Sequence, residues 1–181
     1  ANNIGLRYAV DHNYDYVYLL NQDAWVLSDT IENMVGCLER QPEYGILSPI
    51  QMSEEADEFD RNFLNHTCRN LNLLTEDLFF SRVKSIYPVS HVMAAHWLIS
   101  VQCIKKVGGF SPIFHQYGED DNYIDRVHYW WMKIGITPSA KAIHARKYRE
   151  QTKSQFFFHH FYKYYLVLFS QPRSLSILVW I

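Results

Sequence analysis

Two apolar runs, residues 16–20 and 45–50, carry no charge and are rich in residues that favour strands. Runs of that length and composition read as strands buried on both faces. Between them lies a helical pattern, with Ile31, Met34, Val35 and Leu38 recurring at three- and four-residue steps. Asp29 precedes the pattern as a cap, Glu32 stands where a capping box places its acid, and Pro42 closes it. Strand, helix and strand at this spacing predict a parallel βαβ unit and an α/β fold.

The rest of the chain extends this frame. Residues 3–12 predict a helix, with Ile4, Tyr8 and Ala9 on one side and His12-Asn13 at its end. An acidic run, Glu54, Glu55, Asp57, Glu58 and Asp60, opens a stretch over 53–80 with no clear period. It reads as a solvated insertion, or as a flap over a binding site. Strands are predicted over 83–89 and 92–100, and a short helix over 102–107. A last strand segment starts at Ile136-Thr137-Pro138 and delivers Ala142-Ile143-His144. The natural division is residues 1–150 as one domain and 151–181 as an aromatic-rich helical segment. That segment holds Phe156, Phe157, Phe158, Phe161, Tyr162, Tyr164 and Tyr165, preceded by Lys141, Arg146, Lys147, Arg149 and Lys153 and followed by an apolar patch over 175–181. It is too short and too interrupted to span a bilayer. It reads either as a helix packed on the domain or as an interfacial helix.

With 48% hydrophobic residues in 181, the chain can build a sizeable core. A formal charge of -2 gives no reason to expect nucleic acid as a partner. Cys37, Cys68 and Cys103 are far apart and odd in number, so they read as buried small hydrophobes. The N-terminus is polar and lacks the apolar stretch of a signal peptide.

The most informative stretch for chemistry is residues 108–126, GGFSPIFHQYGEDDNYIDR. Gly108-Gly109 makes a turn, Phe110, Ile113 and Phe114 are apolar anchors, and Gly118 frees the backbone before Glu119, Asp120 and Asp121. Tyr123, Val127, Trp130, Trp131 and Ile134 then keep a helical period, which puts the three acids in a helix's first turn. Upstream, Asn21-Gln22-Asp23-Ala24 follows the first strand, where open α/β sheets bind ligands. By itself such a triplet is more often a simple turn.

The stretch resembles the run GGFDExFFxYGEDxDLxxR of family 2 glycosyltransferases related to bacterial rhamnosyltransferases. The matching residues are Gly108-Gly109-Phe110, Phe114, Tyr117-Gly118-Glu119-Asp120 and Arg126; the departures are His115 and Asn122. Asn21-Gln22-Asp23-Ala24 resembles that family's NPDA variant of its DxD motif. Asn2-Asn3-Ile4-Gly5 with Ala9 resembles its NNxGxxxA, which usually follows its first three strands. The resemblance therefore implies a GT-A type fold, a mixed and mostly parallel sheet flanked by helices, that begins without its N-terminal nucleotide-binding part. It implies Asp120 as catalytic base and Glu119 as a binder of acceptor hydroxyls. His96 and Trp97 fall on a strand like the one lining the acceptor pocket, although Trp97 also suits a core. Asn21 and Asp23 would bind the nucleotide sugar, and Asp23 with His144 would hold Mn²⁺ or Mg²⁺. The implied reaction is an inverting single displacement from a UDP- or dTDP-sugar to a saccharide or lipid-linked acceptor. The implied setting is polysaccharide synthesis in the bacterial cytoplasm, at the inner membrane face, with peripheral membrane association. Two alternatives stand beside it, a non-catalytic relative that only binds and a metal-dependent phosphohydrolase.

Overall fold

The computed structural model describes residues 2–67, 72–114, 118–145 and 153–171. Of the motif and segment residues above, Cys68, His115, Tyr117, Arg146, Lys147, Arg149 and 175–181 lie outside the described residues. So do the side chains of Lys153, Phe156 and Phe158.

The chain runs α1 (Asn2–Asp11), β1 (Tyr16–Leu20), β2 (Ala24–Val26), α2 (Thr30–Arg40) and β3 (Tyr44–Met52). A π-helical turn at Phe63–Thr67 leads to α3 (Asn72–Phe79), β4 (Tyr87–Pro88), β5 (His96–Ser100) and α4 (Val101–Val107). Helix α5 (Glu119–Tyr129), strand β6 (Lys133–His144) and helix α6 (Lys153–Ser170) complete it. The strands form one sheet in the order β1-β5-β3-β6-β2, with β4 also on β6.

The sheet is mixed, but it is not mostly parallel. Only β3 and β6 pair in parallel among the described residues; β1–β5, β3–β5, β2–β6 and β4–β6 are antiparallel. The expected βαβ unit is half right. Strands β1 and β3 do run in the same direction, but β5 inserts between them, antiparallel to both. A local strand-helix-strand pattern fixes direction and cannot show a later strand entering the gap. Strand β1 is accordingly an edge strand, half exposed along its length rather than buried on both faces.

Helices cover both faces. On one, Leu6 and Ala9 of α1, Cys103 and Ile104 of α4 and Tyr123, Ile124 and Val127 of α5 pack on Ile46, Ile99, Ile134 and Ile136. On the other, Met34, Cys37 and Leu38 of α2 pack on Leu47, Leu98 and Ala140. Burying such aliphatic and aromatic side chains contributes about 1.5–3 kcal/mol apiece. Asp29 is the N-cap of α2 but makes no side-chain cap bond, so the expected capping box is absent. Its carboxylate instead accepts from the Asn33 side chain. Ile31 of the expected stripe is exposed, and Cys37 takes its place in the core. The helical period seen from Tyr123 to Ile134 spans two elements. Helix α5 ends at Tyr129, Trp131 turns the chain at φ 58, and Ile134 belongs to β6. The predicted strand over 83–89 is reduced to Tyr87–Pro88, and that over 92–100 to His96–Ser100.

The acidic stretch divides. Glu54, Glu55, Asp57 and Glu58 are solvated, as expected. The chain then turns back on β3, with Ser53 N–H donating to Glu58 O, Met52 bridging Phe59 and Asp60 N–H donating to Gln51 O. From Asp60 on it is anchored: Asp60, Phe63 and Thr67 are buried. Helix α3 is held by Asp77, whose carboxylate accepts from Arg82 Nε at 2.7 Å and Tyr87 Oη at 2.9 Å.

Candidate functional site

The end of β1 and the short strand β2 build the first group. Asn21 N–H donates to Ala95 O, and Ala24 N–H to Asn21 O, so Asn21-Gln22-Asp23-Ala24 is a closed turn. Antiparallel pairing then sets Ala24 opposite His144. Ala145 N–H donates to Asp23 O at 2.9 Å and fixes the two strand ends together. The outcome is that Asp23 Oδ1 stands 3.6 Å from His144 Nε2. His144 is 2% exposed and Asp23 46%, so the pair has one open side, beyond the carboxylate. The Asn21 side chain shares that exposed turn.

Behind this pair, His96 is fully buried. Its Nε2 faces Ile143 O at 3.0 Å and its Nδ1 faces Tyr18 Oη at 3.0 Å. A neutral imidazole donating from Nε2 and accepting at Nδ1 satisfies both. Burial pushes its pKa down to about 4, against the smaller upward pull of the Ile143 carbonyl. Trp97, the next residue, is also fully buried, with its ring against Phe110 and Tyr123. Neither side chain presents a surface to an acceptor. The resemblance implies a pocket wall for His96, and for Trp97 either that wall or the core; the strand that carries them lies inside a sheet whose two faces are covered by helices, and both side chains are enclosed.

The second group opens α5. Gly118 is the N-cap in the left-handed region, φ 95, a conformation glycine adopts without strain. Glu119, Asp120 and Asp121 fill the first turn, where the helix dipole favours negative charge. Asp120 is half-buried, and one of its oxygens accepts from Asp121 N–H at 3.0 Å. Glu119 Oε2 is buried without a hydrogen-bond partner. Burial raises the Glu119 carboxyl, and the neighbouring Asp120 charge adds to the rise. Asp121 points into an ion-pair node. It meets His91 Nε2 at 2.9 Å and Lys163 Nζ of α6 at 2.6 Å. Burial works to raise its pKa, but the bonds from His91 and Lys163 prevail and bring it down to about 2.

The motif residues around this turn are structural. Asn3 clamps Phe110 from both sides of its peptide, accepting from its N–H at 2.7 Å and donating to its carbonyl at 2.9 Å. A Cβ on Gly109 would meet Asn3 Oδ1 at 2.7 Å. Arg126 donates to Val107 O and Gly109 O, and its Nε to Asn122 Oδ1. Asn122, where the resembling family has an acid, is buried and also donates to Ser170 of α6.

The structure thus brings Asp23 to His144 and gathers Glu119 with Asp120. Among the described residues no hydrogen bond or ion pair joins one group to the other, and no three His, Cys, Asp or Glu side chains group as a metal site. Sequence reasoning overlooked Asp60, whose Oδ2 lies 3.9 Å from His144 Nδ1. It also overlooked the clamp role of Asn3 and the His91–Asp121–Lys163 node. Asp60 was hidden among neighbours of the same charge; only the Phe63 that follows marks it as an entry point to the core.

No protein-family model matches the sequence, and no curated protein matches it. Among solved structures, GalNAc-T7, crystallised with UDP, GalNAc and Mn²⁺, superposes with a TM-score of 0.56 at 10% identity, over 78% of this chain and 30% of that one. The chain thus spans less than a third of that structure's length. A197 from STIV superposes with a TM-score of 0.49 at 12% identity, over 83% of this chain and 77% of that one. The first likeness supports a fold related to that of the GT-A glycosyltransferases.

Proposed function

We propose that the chain acts as a glycosyltransferase that moves a sugar from a nucleotide-diphosphate donor to a saccharide or lipid-linked acceptor. The observation that carries this reading is the Asp23–His144 pair at the β2–β6 strand ends. One carboxylate oxygen and one imidazole nitrogen with an open side fit Mn²⁺ or Mg²⁺, which keep most positions for phosphate oxygens and water. A divalent ion held there would neutralise the leaving diphosphate as a Lewis acid. That GalNAc-T7 was crystallised with UDP and Mn²⁺ supports the same donor chemistry.

Asn21 and Asp23 bind the donor in this reading. Asp120 takes the acceptor proton as the new C–O bond forms and the bond to the diphosphate breaks, which inverts the anomeric centre. The unpaired, buried Glu119 Oε2 is the acceptor for a sugar hydroxyl. His96 and Trp97 support the sheet beneath and touch neither substrate. The proposed setting is cell-surface polysaccharide synthesis at the cytoplasmic face of a bacterial membrane. No helix among the described residues is long and apolar enough to cross a membrane. The exposed rings of Phe157, Phe161, Tyr165 and Phe169 on α6 suit peripheral contact.

A second reading, a non-catalytic binding module, draws on the structural roles of Asn3, Gly109, Arg126 and Asn122, which explain much of the motif without chemistry. Transfer of labelled sugar from a panel of UDP- and dTDP-sugars, with and without Mn²⁺, separates the two. Metal-dependent transfer supports the enzyme; binding without turnover of any donor supports the module.

A further inference from the structure

We propose that the rim of the sheet opposite the Asp23–His144 pair is a second ligand site, which takes a neutral oligosaccharide. One sugar ring sits in the pocket between Tyr16 and Tyr44, and a further ring of the same ligand stacks on Trp131. The site stands on its own side chains, whether or not the chain transfers sugar.

The strands set this rim. Tyr16 opens β1 opposite Ser100, where β5 ends, and Tyr44 opens β3 opposite Lys133, where β6 begins. Strand β5 lies between β1 and β3, so the two tyrosines flank its end, about 10 Å apart as two strand spacings require. Their rings share the face covered by α2. The five residues of β1, at about 3.3 Å each, separate the rim from the turn that carries Asp23.

The pocket between the two tyrosines has a volume of about 230 Å³ and is lined also by Tyr14, Asp15, Gln102 and Lys105. Sites for drug-sized ligands run to roughly 300–1,000 Å³, so this one suits a single ring. Burial raises the Tyr16 and Tyr44 hydroxyls above their ordinary pKa, so both stay protonated and can donate. Asp15 accepts, Lys105 donates, and the Gln102 amide does both. Donors and acceptors set among aromatic rings match a sugar, which carries hydroxyls at its edge and C–H groups on its faces. The charges around the rim cancel. Asp15, Glu39 and Glu43 act on the two tyrosines. Against them stand Lys105 in the pocket wall, Lys106 over the Trp130 ring and Lys133 over the Tyr44 ring. An anion would meet the carboxylates and a cation the ammonium groups; a neutral ligand meets neither penalty.

A second observation comes from the end of α5. Trp131 N–H donates to His128 O and Met132 N–H to Val127 O, which closes the helix with Trp131 in the left-handed region at φ 58. That position in a helix stop favours glycine. The tryptophan that stands there is 89% exposed, so packing does not account for it. Two residues on, Lys133 N–H donates to Glu43 O, which joins this turn to the rim beside Tyr44. A flat ring held out from a fixed turn presents its face for stacking.

The test is a ¹H–¹⁵N NMR titration of the 181-residue chain with maltotetraose, cellotetraose and N-acetylchitotetraose. Inorganic phosphate and tetramethylammonium serve as charged probes. At least one sugar should move the Trp131 indole signal together with the backbone signals of Tyr16 and Tyr44. Trp131→Gly and Tyr16→Phe should each weaken that sugar about 3- to 10-fold. Trp131→Gly should melt at or above the wild type, because glycine suits the turn; a tryptophan kept for structure would lose stability instead. Asp23→Ala should bind the sugar like wild type, which separates this site from the proposed donor site. The proposal is overturned if none of the three sugars moves these signals, if they move only signals around Asp23 and Asp120, or if only a charged probe moves them. Unchanged sugar binding by Trp131→Gly would remove the stacking ring from the site.

Discussion

His96 shows how a residue's surroundings decide its role. It was placed on a pocket wall by its position in a motif, yet it is enclosed between Tyr18 and the Ile143 carbonyl. Its folded pKa of about 4 lies below the ordinary value of 6.5. As pH falls through 6.5 the unfolded chain takes a proton that the folded one refuses, so stability declines, and it levels once pH passes below about 4. The drop should reach roughly 3 kcal/mol. Denaturant midpoints between pH 7 and 4 should show it, and His96→Gln should flatten that slope. The adjacent carboxylates divide just as sharply. Asp120→Asn should lower transfer by about 10²- to 10⁴-fold and leave melting near wild type. Asp121→Asn should do the reverse, because its ion pairs with His91 and Lys163 are lost. It should cost about 2 kcal/mol at pH 7 while transfer stays within a few-fold. Since its folded pKa is depressed, that contribution exists above the unfolded value near 4 and fades as pH falls toward 2. Kinetics and melts on the same two variants check the assignment.

At the scale of elements, α1, the loop before α5 and the end of α5 form one clamp. Asn3 and Arg126 are far apart in sequence and grip the same short stretch, Val107 to Phe110. Asn3→Ala should cost about 1–3 kcal/mol by leaving the Phe110 peptide unpaired. Gly109→Ala should also destabilise, through the 2.7 Å encounter with Asn3 Oδ1. In the double variant the clash is gone, so the two costs should add to less than their sum; full additivity in denaturant titrations would contradict the clamp. The elements themselves were largely legible. Strand β1 and helix α1 fall within a residue of their predicted ends, because the periods of 2 and 3.6 and the closing turns are local signals. Pairing was not legible. The insertion of β5 between β1 and β3 depends on contacts across about 80 residues, and Thr137, Ala140 and Ala142 gave no sign that β6 runs for 12 residues. Of the site, the turn at Asp23 could be read from the end of the apolar run before it, and the start of α5 from Gly118 and the helical period after it. Asp60 could not, because burial of one acid among five is a tertiary fact.

Across the whole molecule, helix α6 ties its inner side to α5 through Lys163 and Ser170 and turns its aromatic ladder outward. Both readings of that helix are therefore compatible with the structure, and they are separable. Phe161→Ser with Phe169→Ser should leave the melting point unchanged, since both rings are exposed. If α6 lies on a membrane, the same variant should lose most co-sedimentation with vesicles containing anionic lipid. The strand ends that bring Asp23 to His144 carry the proposed chemistry. The most direct measurement is calorimetry of UDP and dTDP binding, with and without Mn²⁺, on the wild type, Asp23→Ala and His144→Ala. Mn²⁺ should tighten nucleotide binding to the wild type, and each substitution should remove that tightening, as thermodynamic linkage through a shared ion requires. Nucleotide binding that ignores Mn²⁺, or a Mn²⁺ effect that survives both substitutions, would contradict it.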